Sequence, residues 1–246
     1  MISPKNFYEF LIKRGISFFT GVPDSLLKEF CSYVDAESKR TSHLISANEG
    51  TAIGIAVGNF LATGNLPLVY LQNSGLGNTI NPLLSLADKE VYSIPLILLI
   101  GWRGEPGVKD EPQHIKQGRV TPEILDSIGI PYKIIDKDAN QSLINTEWAI
   151  HKALKSNSPV VLLVKKGSFS KSEKQKNNVE YNGEILLSRE KAISIITNEI
   201  TKDSFLVATT GMISRELYEQ RSIFKQKRDS DFLTVGSMGH ASQIAL

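Results

Sequence analysis

Short apolar runs alternate along the chain with segments whose apolar residues recur at helical spacing. Residues 16–20, 42–46, 67–71, 94–100, 131–135 and 159–164 read as strands. The run Ile94–Ile100 carries no polar alternation, which marks a strand buried on both faces in a parallel sheet covered by helices. Between the runs lie the amphipathic 25–30, an Ala/Gly/Ile-rich helix to about Leu61, a leucine-rich helix after Gly77, and a helix over about 140–154. This alternation predicts a doubly wound α/β fold with six strands before Lys165. From Lys165 to Glu184 the chain carries five lysines and three glutamates and few apolar residues. That composition reads as a linker between a domain at 1–164 and another at 185–246. The second domain restarts the alternation: helix 188–200, strand 205–208, helix 213–224 and strand 231–235. Two strands make a poor sheet, so this α/β domain reads as incomplete at Leu246.

Composition removes several classes of function. The 246 residues are 41% hydrophobic and 22% charged, the balance of an ordinary soluble domain protein. A net charge of +2 gives no global attraction to nucleic acid. The single Cys31 excludes a disulfide framework and a multi-cysteine zinc site. No apolar run approaches the ~20 residues that cross a bilayer, and the N-terminal stretch lacks a signal-peptide core. The expectation is a cytoplasmic protein that binds small molecules, with neither a nucleic-acid nor a membrane partner.

In open parallel sheets, ligands sit beyond the carboxyl ends of the strands. The turns there are Gly21–Asp24, Ala47–Gly50, Gln72–Gly75, Gly101–Gly104, Thr209–Gly211 and Gly236–Gly239. No P-loop or three-glycine dinucleotide fingerprint is present, and the four histidines are scattered without metal-ligand spacing. Glu49 is the sharpest candidate. It stands where a strand turns into a helix of small apolar residues that offer it no opposite charge. One reading is a first-turn glutamate favoured by the helix dipole. The other is a proton-handling acid beside a surface that admits a flat ligand.

Gly-Val-Pro-Asp at 21–24, Ala-Asn-Glu-Gly at 47–50 and Asn-Ser-Gly-Leu-Gly-Asn at 73–78 resemble the pyrimidine-binding domain of thiamine-diphosphate-dependent decarboxylases. Residues 104–121 (GEPGVKDEPQHIKQGRVT) resemble the phosphonopyruvate decarboxylase branch of that family, beside its sulfopyruvate relatives. The resemblance implies the thiamine-diphosphate-binding fold, that cofactor, a 2-keto-acid substrate and a homo-oligomer with active sites between subunits. It implies that Glu49 hydrogen-bonds the pyrimidine ring nitrogen, that Asp24 and His114 assist proton transfers, and that Asn73, Ser74 and Gly75 lie along the cofactor. Asp24 also reads as a helix N-cap, and His114 as a histidine in the loop beyond strand 94–100. Arg103, Lys109 and Arg119 flank His114, either as holders of a dianionic substrate group or as solvated surface charges. Thr210, Gly211 and Met212 match a turn near the diphosphate. Gly236, Ser237 and Met238 match the segment that cradles the middle of the cofactor, with Met238 equally suited to core packing. The family's later Gly-Asp-Gly, which binds magnesium, has no counterpart here. Magnesium ligands are therefore expected beyond Leu246 and none is named.

Overall fold

The structure is a computed structural model that describes residues 1–39, 41–172, 187–201, 203–234 and 241–245. Contacts divide the chain into two units, Met1–Asn177 and Asn178–Leu246.

In the first unit, all six strands expected before Lys165 form one parallel sheet: β1 (Phe19–Gly21), β2 (His43–Ile45), β3 (Leu68–Gln72), β4 (Ile97–Gly101), β5 (Tyr132–Ile135) and β6 (Val160–Val164). Their order is β2-β1-β3-β4-β6-β5. The sheet is wound outward in both directions from the β1/β3 pair, where Phe19 lies beside Leu68 and Gly21 beside Tyr70. A reversal of strand order opens a crevice at the carboxyl ends, the usual ligand position in such sheets.

Alternation along each strand feeds two cores. Leu68, Tyr70, Ile97, Leu99, Val160 and Leu162 face α1 (Pro4–Lys13), α2 (Lys28–Glu37) and α6 (Ala139–Ser156) through Phe7, Leu11, Phe30, Val34 and Ala153. Val69, Leu71, Leu98, Ile100, Val161 and Leu163 face the opposite layer, built by α3 (Glu49–Thr63), α4 (Leu76–Pro82) and α5 (Pro112–Ser127). Helices on both faces explain why β3, β4 and β6 carry unbroken apolar runs: neither side meets water.

Two helices were not anticipated from the sequence. In α1, Ser3 caps the first turn and Pro4, Phe7 and Leu11 are buried at helical spacing. The helix α5 starts with Pro112, whose fixed φ suits the first turn. It buries His114, Gly118, Thr121 and Leu125, a stripe too polar and too small to show as hydrophobic periodicity. Residues assigned by composition to the start of a linker are tied to the first unit: Ser168 is buried, its hydroxyl donates to Ile135 O at 3.0 Å, and Phe169 bridges to Ile2.

The second unit pairs β7 (Leu206–Ala208) with β8 (Asp231–Leu233) in parallel. Its helices are α7 (Arg189–Glu199), α8 (Met212–Ile223) and α9 (Ala241–Ala245). Ile193, Ala208 and Leu217 form its small core. Arg221 holds Asp231 through two hydrogen bonds of 2.9 Å. Among the described residues, no helix is long and apolar enough to cross a membrane.

Candidate active site

Four turns meet at the carboxyl ends of β1, β2, β3 and β4. The turn after β2 carries Glu49. Asn48 caps α3 by accepting from Thr51 N at 2.9 Å, which places Glu49 at the first helical position. The glutamate is only 7% exposed. Its carboxylate accepts from Asn78 Nδ2 at 2.8 Å and lies flat on the turn after β3. A Cβ built on Gly75 would come within 2.5 Å of Glu49 Cγ and closer still to its carboxyl group. A Cβ on Gly50 would stand 2.8 Å from Asn78 O. Glycine at these two positions is what lets α3 and the β3 turn close on each other around the acid. Asn78 belongs to the segment 73–78 noted in the sequence, although only its first three residues were assigned a role there.

Asn73 sits in a single 3-10 turn, Asn73–Gly75, and is 4% exposed. Its amide donates to Arg103 O at 2.9 Å and to Thr121 Oγ1 at 3.0 Å, and its oxygen accepts from Arg103 N at 3.1 Å. Both donors and one of the two lone pairs are used inside the chain, so Asn73 clamps the β3 turn to the β4 turn and to α5. Ser74 is half-buried and accepts from Gln72 Nε2 at 2.5 Å.

The turn after β1 carries Asp24, which is 5% exposed. Its Oδ2 accepts from Leu26 N at 2.7 Å and Leu27 N at 3.2 Å, so the N-cap reading holds for that oxygen. Its Oδ1 is buried with no hydrogen-bond partner among the described residues. Burial pushes this carboxyl up from its ordinary value, against the pull of the two amides and of the Arg103 charge. A Cβ on Gly101 would lie 2.9 Å from Asp24 Cγ, so the end of β4 must be glycine for the acid to stay where it is.

The turn after β4 leads to His114, which lies in the first turn of α5 rather than in a loop, and is 9% exposed. Its Nδ1 is 3.0 Å from Asp110 Oδ1. Arg103 binds the same carboxylate through Nη2 and through Nε at 2.8 Å, and its Nη1 donates to Ser25 Oγ at 2.8 Å. The guanidinium fork is therefore engaged by the chain itself, which leaves it poorly placed for the substrate-holding part that its neighbourhood suggested. Lys109 and Arg119 are exposed and make no ion pair with a described residue. Asp110 was not singled out in the sequence. Its contact with His114 spans four residues but begins outside the helix, so no periodicity reveals it.

Asp24, Glu49, Asn73, Ser74, Gly75, Arg103 and His114 are thus gathered at one edge of one sheet. In the second unit, Thr210 and Gly211 follow β7, and Met212 opens α8 with half of its surface exposed. Gly211 has φ +91°, a conformation only glycine adopts without strain. Gly236, Ser237 and Met238 lie outside the described residues. Among the described residues, no cluster of three or more potential metal ligands occurs.

The arrangement suits a polar heterocycle. A buried acid held by one amide, a second buried acid with an idle oxygen and a histidine with a paired Nδ1 share the carboxyl edge of the sheet. They are groups that can hydrogen-bond such a ring and move protons.

Comparison with known proteins agrees. Residues 5–127 match the family described as thiamine pyrophosphate enzyme, N-terminal TPP binding domain. The chain is 31% identical over 260 residues to phosphonopyruvate decarboxylase of Streptomyces viridochromogenes, covering 100% of this chain and 63% of that one. It is 34% identical over 153 residues to sulfopyruvate decarboxylase subunit alpha of Methanococcus maripaludis, covering 58% of this chain and 88% of that subunit. The structure of benzoylformate decarboxylase from Polynucleobacter necessarius superposes with a TM-score of 0.55 at 17% identity, over 87% of this chain and 40% of that one, which shows a shared fold. The chain spans less than two thirds of the Streptomyces relative. With the family's domain matched over half the chain and a parallel sheet that gathers the acids at its carboxyl edge, this chain belongs to the thiamine pyrophosphate enzymes.

Proposed function

We propose that the chain supplies the pyrimidine-binding half of a thiamine-diphosphate-dependent decarboxylase that converts 3-phosphonopyruvate to phosphonoacetaldehyde and carbon dioxide. The observation that carries this reading is the placement of Glu49, buried at the carboxyl edge of the sheet and pressed against Gly75. When bound, thiamine diphosphate supplies the electron sink that lets the carbon–carbon bond to the carboxylate break. Glu49 holds a proton at the pyrimidine ring nitrogen. The turn of Asn73, Ser74 and Gly75 bounds the ring's position, and Asn78 keeps the Glu49 carboxylate from swinging away. Asp24 and His114 carry the proton that the carbonyl carbon takes up as carbon dioxide leaves, work for which a buried acid with a raised pKa and an imidazole are suited. Lys109 and Arg119, exposed on the segment that bears His114, attract the dianionic phosphonate. Thr210, Gly211 and Met212 offer a helix start to the diphosphate. Magnesium accompanies the cofactor, on ligands outside the residues assigned here. The working form is an oligomer with sites completed by a second subunit.

A second reading is sulfopyruvate as substrate. It is supported by the 34% identity, over 153 and 158 residues, to α-subunits named for that reaction. Carbon dioxide release from 3-phosphonopyruvate, 3-sulfopyruvate and pyruvate, with thiamine diphosphate and magnesium present, decides between them. The proposal expects the first to be fastest. Faster release from sulfopyruvate moves the assignment to that branch. No release from any of the three, with a partner chain supplied, rejects a decarboxylase and leaves a binding module.

A further inference from the structure

We propose that Asp110 is a positioning residue that holds the Nδ1 proton of His114, leaving Nε2 of the neutral ring as the proton acceptor, while Arg103 locks Asp110 to the loop that bears Asp24. The inference rests on the reading of His114 as a proton carrier.

The argument starts from the inventory of donors around one carboxylate. Oδ1 accepts from Arg103 Nη2 and from Glu111 N at 2.8 Å, and meets His114 Nδ1 at 3.0 Å. Oδ2 accepts from Arg103 Nε and Gly104 N, both at 2.8 Å. The bidentate guanidinium, with help from His114 and the two amides, holds the Asp110 carboxyl well below the usual carboxylate range. A carboxylate that stays ionised only accepts hydrogen bonds. The imidazole nitrogen facing it must therefore carry the hydrogen, and in a neutral ring the other nitrogen must then be bare. Among the described residues, no hydrogen bond reaches Nε2.

The surroundings make this geometry stiff. Gly104 has φ +71°, and a Cβ there would collide with the carbonyl of His114. A Cβ on Gly118 would collide with the carbonyl of Gly104, and Trp102 Nε1 donates to Gly118 O at 2.7 Å. The turn after β4 and the first turns of α5 therefore touch backbone to backbone. Asn73 pins the main chain of Arg103 on both its N–H and its carbonyl. Through Nη1 and Ser25, the same arginine reaches the residue next to Asp24. The charged groups around this arginine are Asp110, Asp24 and Glu111. The Arg103–Asp110 pair, within the turn that leads into His114, is thus tied through Ser25 to the turn that carries Asp24. It sets the tautomer of the histidine as it sets the spacing of the loops.

The test is long-range proton–nitrogen correlation NMR on the full chain labelled with nitrogen-15 histidine, at a pH where the rings are neutral. The chain has four histidines, and the His114 signals are identified by their loss in His114→Gln. The expected spectrum shows His114 protonated on Nδ1. In Asp110→Asn the ring shifts toward the Nε2-protonated form, and Asp110→Glu restores the original tautomer. Turnover of 3-phosphonopyruvate with thiamine diphosphate and magnesium falls on the order of 10²-fold in kcat for Asp110→Asn. An Nε2-protonated ring in the unmodified protein overturns the proposal, and that spectrum decides the matter even where Asp110→Asn does not fold. A loss of turnover in His114→Gln with none in Asp110→Asn also overturns it. Full turnover in His114→Gln instead refutes the proton-carrying role of His114, whichever tautomer the spectrum shows.

Discussion

Replacing Gly75 by alanine separates what the backbone needs from what Glu49 needs. Gly75 has φ −86° and ψ −5°, which alanine adopts without strain. The added methyl lowers the entropy of the unfolded chain, a gain of about 0.4–1 kcal/mol. Against this, the methyl carbon would lie within 2.5 Å of Glu49 Cγ, inside contact distance. Overpacking of this kind costs about 1–3 kcal/mol. The atoms that must yield belong to a side chain, so the fold survives and the carboxylate moves off Asn78. The net loss is about 1–2 kcal/mol, a fall of about 2–8 °C in Tm for a chain of this size. The functional loss is larger. Losing a charge-assisted hydrogen bond to the cofactor raises the half-saturating thiamine diphosphate concentration about 10- to 100-fold. Gly77 in the next turn is the control, because a Cβ there meets nothing within 4 Å. Gly77→Ala should leave cofactor binding unchanged and raise stability by about 0.4–1 kcal/mol. Thermal unfolding followed by circular dichroism and cofactor titration followed by fluorescence measure the two effects. A Gly75→Ala protein that binds and turns over as before would refute the idea that this glycine exists to seat Glu49.

Two further predictions follow from the charges at the site. Burial raises the Asp24 pKa above its ordinary 3.8, so the folded chain holds that proton more tightly than the unfolded chain. Its stabilising share is complete below the ordinary value and lost as pH rises through the folded one. The stability of the unmodified chain relative to Asp24→Asn, read from urea midpoints, should therefore decline from pH 4 to pH 8, and a pH-independent difference would contradict the burial argument. Lys109→Ala and Arg119→Ala should each raise KM for 3-phosphonopyruvate about tenfold with little change in kcat, and steady-state kinetics with KM unmoved in both would remove them from substrate binding.

Much of this architecture is legible before any coordinates. The runs 67–71, 94–100 and 159–164 announce themselves because strands covered on both faces have no reason to alternate. The order of strand and helix then places Glu49 and Asn73 at one sheet edge. What the pattern hides is equally physical. The helix α5 buries His114, Gly118 and Thr121, residues chosen for close approach and hydrogen bonding rather than for hydrophobicity. Its helical period is therefore silent, and residues 104–121 look like a loop. Arg103 looks like a cation waiting for an anionic substrate because its partner, Asp110, is recruited by a turn whose shape depends on Gly104 and Gly118. Asn73 looks like a ligand-facing amide, yet its three hydrogen bonds are all to the chain. Polar side chains that organise a site and polar side chains that touch its ligand have the same composition, and only geometry tells them apart.

The central claim is that Glu49 acts on the pyrimidine ring of thiamine diphosphate. Exchange of the thiazolium C2 proton of the bound cofactor into deuterium oxide reports this without any substrate. Glu49→Gln, nearly isosteric, should retain the fold and slow that exchange by about 10²- to 10⁴-fold. Exchange near the unmodified rate, with the cofactor demonstrably bound, would mean that Glu49 merely opens a helix.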